Sequence, residues 1–231
     1  MKKHLFFDMD GTLTPSRSPM SDDMHAALIQ LADTHDLIIV SGSHNDQMKI
    51  QIPNLPIIQL GQNGNHCIHP EQGELWNDVM NDEARAEVLA HAAQLRTLID
   101  WDVPDEDDLL EDRGSQISFS LYGHYADAAI KRTIDPDFSK RRSMMEQAPF
   151  ISDTAEAKIA GSTSIDYFKK GRNKGYNIDR LCTELHWSKD DCVYYGDALF
   201  PGGNDETVVG VIETIEVKDP DYTLQKLQER L

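Results

Sequence analysis

Two aspartates one residue apart, at the end of an apolar run in Phe6-Phe7-Asp8-Met9-Asp10-Gly11-Thr12-Leu13-Thr14, are the side chains best placed in this sequence to do chemistry. In an extended segment residues i and i+2 project to one side, and Gly11 lets the backbone turn sharply where a ligand can approach. Such a pair suits a cation and a phosphoryl group; a strand followed by an acidic turn is the plainer alternative. Phosphoryl transfer also needs donors that neutralise the phosphoryl oxygens, and a proton donor and acceptor. Ser41-Gly42-Ser43 offers hydroxyl and backbone N–H donors, and Lys174 adds positive charge at a helix start. Gly196-Asp197 and Asn204-Asp205 bring further oxygen ligands for a magnesium ion. Singly, each of these has an ordinary explanation as a turn, a solvated helix residue or a strand exit. Their order along the chain, at the ends of successive strands or of the next helix, gives them weight.

The elements that must position these residues follow from hydrophobic periodicity. Leu5 to Phe7 reads as a buried strand, Met24, Leu28 and Leu31 as a helix behind the capping residue Ser21, and Leu37 to Val40 as a strand entering Ser41. Pro56 to Leu60 is a third apolar run, leading into Gly61-Gln62-Asn63-Gly64. Strand, helix, strand predicts a parallel sheet whose ligands gather outside the strands' carboxyl ends. From about Val79 the texture changes. A helix carries Val88, Ala92, Leu95 and Ile99, an acidic connection runs from Asp102 to Asp112, and Ile117, Phe119 and Leu121 alternate as a half-buried antiparallel strand. A second half-buried strand, Thr163 to Phe168, sets Ser164 and Asp166 on one face. The parallel pattern resumes with a helix from Lys174 through Leu185, the strands Cys192 to Tyr195 and Ile212 to Val217, and a final helix with Leu224, Leu227 and Leu231. The expected fold class is α/β: a three-layer Rossmann-like parallel-sheet core, residues 1–78 and 170–231, with an α+β cap inserted at 79–169.

Charge narrows the partners. Forty acidic residues against 22 basic leave a formal charge of −18, which repels nucleic-acid and membrane phosphates, so neither is an expected partner. A phosphate ligand would have to be a small ester held by a local cation and a few Lys or Arg side chains. The three cysteines, Cys67, Cys182 and Cys192, show neither close pairing nor metal-ligand spacing and read as core residues of a reducing compartment. With no long apolar run and an N-terminus that leads into a strand, a cytoplasmic protein is expected. The acidic stretch 102–112 reads as a solvated connection, and His66 and His69 as surface or hairpin residues rather than zinc ligands.

The four segments, D-M-D-G-T-L-T, S-G-S, the Lys174 stretch and G-D-A-L-F-P-G-G-N-D, resemble motifs one to four of the haloacid dehalogenase superfamily of phosphotransferases. The Pro201-Gly202-Gly203-Asn204-Asp205 loop, Arg17, Glu111-Asp112-Arg113 and Gly161-Ser162-Thr163-Ser164-Ile165-Asp166 are similar to the phosphomannomutase branch, and the similarity spans essentially the whole chain. The resemblance implies that Asp8 forms an aspartyl-phosphate and that Asp10 is the general acid and base. It implies magnesium ligands from Asp8, the Asp10 carbonyl and Asp197, with Asp205 in the outer shell or holding Lys174. Asn204 would join a second, structural cation site. Ser43 matches the branch's own pattern and Ser41 the wider superfamily's. In the cap, Arg113, Ser164 and Asp166 would bind substrate, with Arg17 reaching from the core, the guanidinium gripping a distal phosphate. Arg113 has the alternative of pairing with Glu111 or Asp112. A homodimer through the cap, and opening and closing of the cap, are compatible with the same resemblance.

Two positions depart from the branch. His124 and Lys131 stand where arginines are expected in the substrate site, and neither reproduces arginine's planar fork. A weaker hold on a second phosphate favours a phosphatase acting on sugar phosphates or related small phosphate esters. A phosphomannomutase interconverting hexose 1- and 6-phosphates is the alternative, and a non-catalytic phosphosugar-binding protein is the alternative of another class.

Overall fold

The computed structural model describes residues 2–231. In chain order the elements are β1 (His4–Phe7), α1 (Asp22–Ala32), β2 (Asp36–Val40), α2 (Asn45–Gln51), β3 (Ile57–Gly61), β4 (His66–His69) and β5 (Gly73–Asn77). Then come α3 (Asp82–Arg96), β6 (Leu110–Asp112), β7 (Gln116–Ser120), α4 (Ala128–Ile134), α5 (Ser139–Gln147), β8 (Ala155–Ala160) and β9 (Ser164–Lys169). The chain closes with α6 (Lys174–Glu184), β10 (Cys192–Gly196), β11 (Glu213–Glu216) and α7 (Pro220–Gln228). Two compact units result: Met1–Asn77 with Arg172–Leu231, and Asp78–Gly171. Among the described residues no helix is long and apolar enough to cross a membrane.

The first unit holds one sheet in the order β11-β10-β1-β2-β3-β4-β5, its first five strands parallel. The β4–β5 hairpin continues the sheet in antiparallel sense and carries His66 and His69. Strand alternation sorts the core onto two faces. Leu5, Phe7, Leu37 and Ile39 pack with Met24, Leu28 and Leu31 of α1, Met48 of α2 and Leu227 of α7. Phe6, Ile38, Val40 and Leu60 pack with Ile178, Leu181 and Cys182 of α6 on the other. Burial on both faces explains why these strands are continuous apolar runs. It also forces the polar residues to the strand ends: Phe7 pairs with both Ile39 and Tyr195, so Asp8 lies level with Val40 and Gly196, one residue before Ser41 and Asp197. Asp8, Ser41 and Asp197 therefore emerge at one edge.

The second unit is a four-stranded antiparallel sheet, β6-β7-β9-β8, with α3 to α5. Ile117, Phe119, Ile165 and Tyr167 meet Val88, Ala92 and Leu95 of α3 in its core. The expectation of half-buried strands needs correction: all five residues of β7 are buried, Gln116, Ser118 and Ser120 included. The polar face buries because its side chains bond each other, Ser118 Oγ donating to Asp166 Oδ1 at 2.6 Å and Ser120 Oγ meeting Thr163 Oγ1 at 2.9 Å. The acidic connection is likewise not all solvated. Leu109 is buried and residues 110–112 form β6 against β7, since two leucines inside the acidic run have a core to enter. Two helices end earlier than their apolar spacing predicts: α3 stops at Arg96 although Ile99 is buried, and α7 stops at Gln228, leaving Leu231 exposed.

Candidate active site

Asp8 leaves β1 almost wholly buried, and Lys174, 1% exposed, reaches it from the first residue of α6. Lys174 Nζ donates to Asp8 Oδ1 at 2.5 Å and to Asp205 Oδ1 at 2.7 Å. Tyr194 OH donates to the same Asp205 oxygen at 2.6 Å. Local sequence makes this approach possible. A Cβ on Gly175 would collide with the Thr207 carbonyl, so only glycine lets the first turn of α6 lie against the loop that carries Asp205. A lysine at the positive end of a helix dipole is unfavourable by itself, and two carboxylates offset that cost here.

One carboxylate oxygen from each of Asp8, Asp197 and Asp205 lies within 4.8 Å of the others. Gly11, at φ 90°, permits the approach of Asp197, which a Cβ there would block. Thr12 Oγ1 donates to Asp197 Oδ1 at 3.5 Å. Burial pushes the Asp8 carboxyl well above its ordinary range; Lys174 opposes this, while Asp205 and Asp197 add to it. Burial also raises Asp197, with Asp205 reinforcing it. For Lys174 burial works against the charge, but Asp205 and Asp8 outweigh it and hold the ammonium protonated. Three acids share one lysine, and the donor set is all oxygen. That deficit and that chemistry fit a hard divalent cation.

Asp10 is half-buried, its Oδ1 accepting from Arg17 N at 2.8 Å and Gln51 Nε2 at 3.0 Å. Ser41 is 2% exposed, and its Oγ accepts the Ser43 N–H at 3.1 Å. Gly42 and Ser43 are half-buried in the same turn. Asn204 Oδ1 is buried without a hydrogen-bond partner among the described residues. Arg17 adopts φ 51°, in the left-handed region.

In the second unit, Arg113 Nη2 donates to Glu111 Oε2 at 2.7 Å, the pairing that sequence offered as the alternative to a ligand role. Asp112 is taken by Arg85. His124 Nε2 lies 3.1 Å from the Ser118 carbonyl, and Lys131 Nζ donates to the His124 carbonyl at 2.9 Å, both side chains buried. Ser164 pairs in register with Ser120, and Asp166 with Ser118, on the polar face of β9 and β7. Burial raises the Asp166 carboxyl, with Arg113 and the Ser118 hydroxyl opposing it.

A family model described as haloacid dehalogenase-like hydrolase matches residues 5–205. The chain belongs to the haloacid dehalogenase-like hydrolases. This hydrolase is 28% identical over 246 residues to the phosphomannomutase of Encephalitozoon cuniculi, covering 100% of this chain and 94% of the relative. It is 27% identical over 242 residues to that of Saccharomyces cerevisiae, covering 97% and 92%. Among solved structures it resembles a haloacid dehalogenase-like hydrolase from B. subtilis, with a TM-score of 0.68 at 14% identity over 99% of this chain and 100% of that one. It also resembles IMP-bound Plasmodium falciparum IMP-nucleotidase, with a TM-score of 0.70 at 15% identity over 100% and 68%. The structural likenesses show the fold; the family makes this hydrolase an enzyme of the phosphotransferase type.

Sequence reasoning passed over several residues that the hydrolase uses to build this geometry. Tyr194 was hidden in an apolar strand, where a tyrosine reads as packing; its position on the face of Phe6, two residues before Gly196, is the signal for a hydroxyl near Asp205. Gln51 lay in a helix whose short amphipathic pattern went unassigned. Asn177 Nδ2 donates to the Asn63 carbonyl at 2.9 Å and to Asn65 Oδ1 at 3.2 Å, tying α6 to the turn after β3. All three cysteines are buried and free, and Cys182 and Cys192, which sequence gave no reason to pair, have their sulfurs 3.8 Å apart.

Proposed function

We propose that this enzyme hydrolyses sugar phosphates or related small phosphate esters by magnesium-dependent phosphoryl transfer through an aspartyl-phosphate on Asp8. The observation that carries the reading is Lys174 bonded at once to Asp8 and Asp205, with Asp197 in the same group of oxygens. Asp8, the Asp10 carbonyl and Asp197 would hold the magnesium ion, which supplies charge neutralisation for the phosphoryl oxygens; Asp205, with one oxygen spent on Lys174 and Tyr194, is assigned to holding the lysine. In the first step an Asp8 oxygen bonds phosphorus, the ester P–O bond breaks, and Asp10 gives its proton to the departing oxygen. In the second, Asp10 takes a proton from water as the water oxygen bonds phosphorus, and the Asp8 P–O bond breaks. Lys174 and the Ser43 hydroxyl stabilise the transferring group, and the deeper Ser41 shapes the turn. Arg113, Ser164 and Asp166 are assigned to substrate recognition by the second unit, and Arg17 to substrate recognition by the first. His124 and Lys131, inside the second unit, are assigned to supporting Arg113 and Ser118 rather than to gripping a second phosphate.

The phosphomannomutases among the relatives favour one further reading, transfer from a hexose bisphosphate and back to give an isomerised monophosphate. One experiment separates the two. The protein is incubated with mannose 1-phosphate, magnesium and a trace of hexose bisphosphate under phosphorus NMR. Orthophosphate alone supports the hydrolase, the 6-phosphate supports the mutase, and neither with any ester would end the reading.

A further inference from the structure

Gln51, the last residue of α2, is fully buried, yet its side chain is spent on the acid–base aspartate rather than on the core. Its Nε2 donates to Asp10 Oδ1 and Thr14 Oγ1, each at 3.0 Å, and at longer range to the Ser18 carbonyl at 3.3 Å. Its Oε1 accepts from Gln47 Nε2 at 3.1 Å. A carboxylate and a carbonyl can only accept, so the amide has one consistent orientation, nitrogen toward Asp10. The backbone adds to the tie, Met20 N donating to the Gln51 carbonyl at 3.1 Å. Asp10 Oδ1 receives a second bond, from Arg17 N at 2.8 Å, and Oδ2 receives neither. With two donors on Oδ1, Oδ2 is the oxygen that neither of them occupies.

We propose that Gln51 is a positioning residue for proton transfer. With the Arg17 N–H it occupies Asp10 Oδ1, leaving Oδ2 as the atom that delivers the proton to the leaving oxygen and recovers one from water. This rests on Asp10 being the acid and base. It extends that reading by fixing which oxygen acts and what aims it. A purely structural Gln51 would only fasten the 9–20 loop to the end of α2.

The test uses Gln51→Met, which keeps length and burial and removes the donor, with Asp10→Asn as control. Each is compared with the parent on p-nitrophenyl phosphate, whose leaving group departs as a stable anion, and on mannose 6-phosphate, whose alkoxide needs a proton. The quantity is kcat/KM, which reports steps up to departure of the leaving group. A misaimed acid lowers it for the alkyl ester by about tenfold to a hundredfold and for the aryl ester by less than about threefold. The ratio of the two losses does not depend on how much protein is folded. Equal losses on both esters, or none on either, in Gln51→Met beside a selective alkyl loss in Asp10→Asn would overturn the inference alone. No selective loss in Asp10→Asn, or no turnover by the parent, would overturn it together with the assignment of Asp10.

Discussion

Burial raises the carboxyls of both Asp8 in the first unit and Asp166 in the second, but the two are compensated in different ways. Beside Asp8 one ammonium is bonded to two carboxylates, those of Asp8 and Asp205, and a third acid in the same group of oxygens, Asp197, makes no ion pair of its own among the described residues. Around Asp166 the compensation is a short hydrogen bond from Ser118 and the nearby charge of Arg113, itself paired with Glu111. The first arrangement is short of positive charge, and its all-oxygen donor set fits a hard divalent cation. The second is compensated within its own unit, by a guanidinium and a hydroxyl. The same side chain type is thus held with different charge balances in the two units.

Removing Lys174 should break this contrast most severely. Lys174→Met leaves buried acids without their cation, and a loss of about 3–5 kcal/mol is expected in chemical unfolding without magnesium. Added magnesium should recover part of that stability, while turnover stays down by at least about a hundredfold. Full activity in Lys174→Met would refute its place in the site. A smaller effect is expected of Arg113→Ala: kcat/KM for a sugar phosphate falls about tenfold, and p-nitrophenyl phosphate, with no distal group to hold, is turned over as before. Equal losses on both would assign Arg113 to structure through Glu111.

The smallest effect concerns Asp166 and pH. Its raised carboxyl keeps a proton in the folded protein to higher pH than in the unfolded chain. The stability it contributes is therefore complete below the unfolded value of about 3.9 and is lost as pH climbs through the folded value. Asp166→Asn lacks this loss. It should match the parent near pH 3.5 and exceed it in stability at pH 7, at the expense of substrate affinity. A variant less stable than the parent at pH 7 would show that the ionised carboxylate is better compensated than its surroundings indicate.

Much of the first unit was legible because its parallel strands are buried on both faces. Runs such as Leu37 to Val40 admit no other reading, and each ends where polarity returns, which located Asp8, Ser41 and Asp197 together. The second unit was less legible for the converse reason. Its sheet buries Gln116, Ser118 and Ser120, which alternate with Ile117 and Phe119, and Asp166 between Ile165 and Tyr167, a pattern that mimics a solvated face. Helix α5, Ser139–Gln147, carries Arg141 fully buried, bonded to Asp135 at 2.6 Å and to the carbonyls of residues 160, 161, 162 and 164. No periodicity marks an arginine as core. The same limit hid Gln51, a polar residue buried by long-range bonds that leave no trace in local pattern.

An aspartyl-phosphate on Asp8 is detectable by quenching the enzyme with acid during turnover of a phosphate ester and mapping the peptides by mass spectrometry. The account predicts a hydroxylamine-sensitive phosphoryl group on Asp8. In Asp8→Asn, which should keep its fold because Lys174 retains Asp205, the account predicts neither the adduct nor turnover. Undiminished turnover in Asp8→Asn, with no phosphoryl-enzyme in the parent, would contradict it.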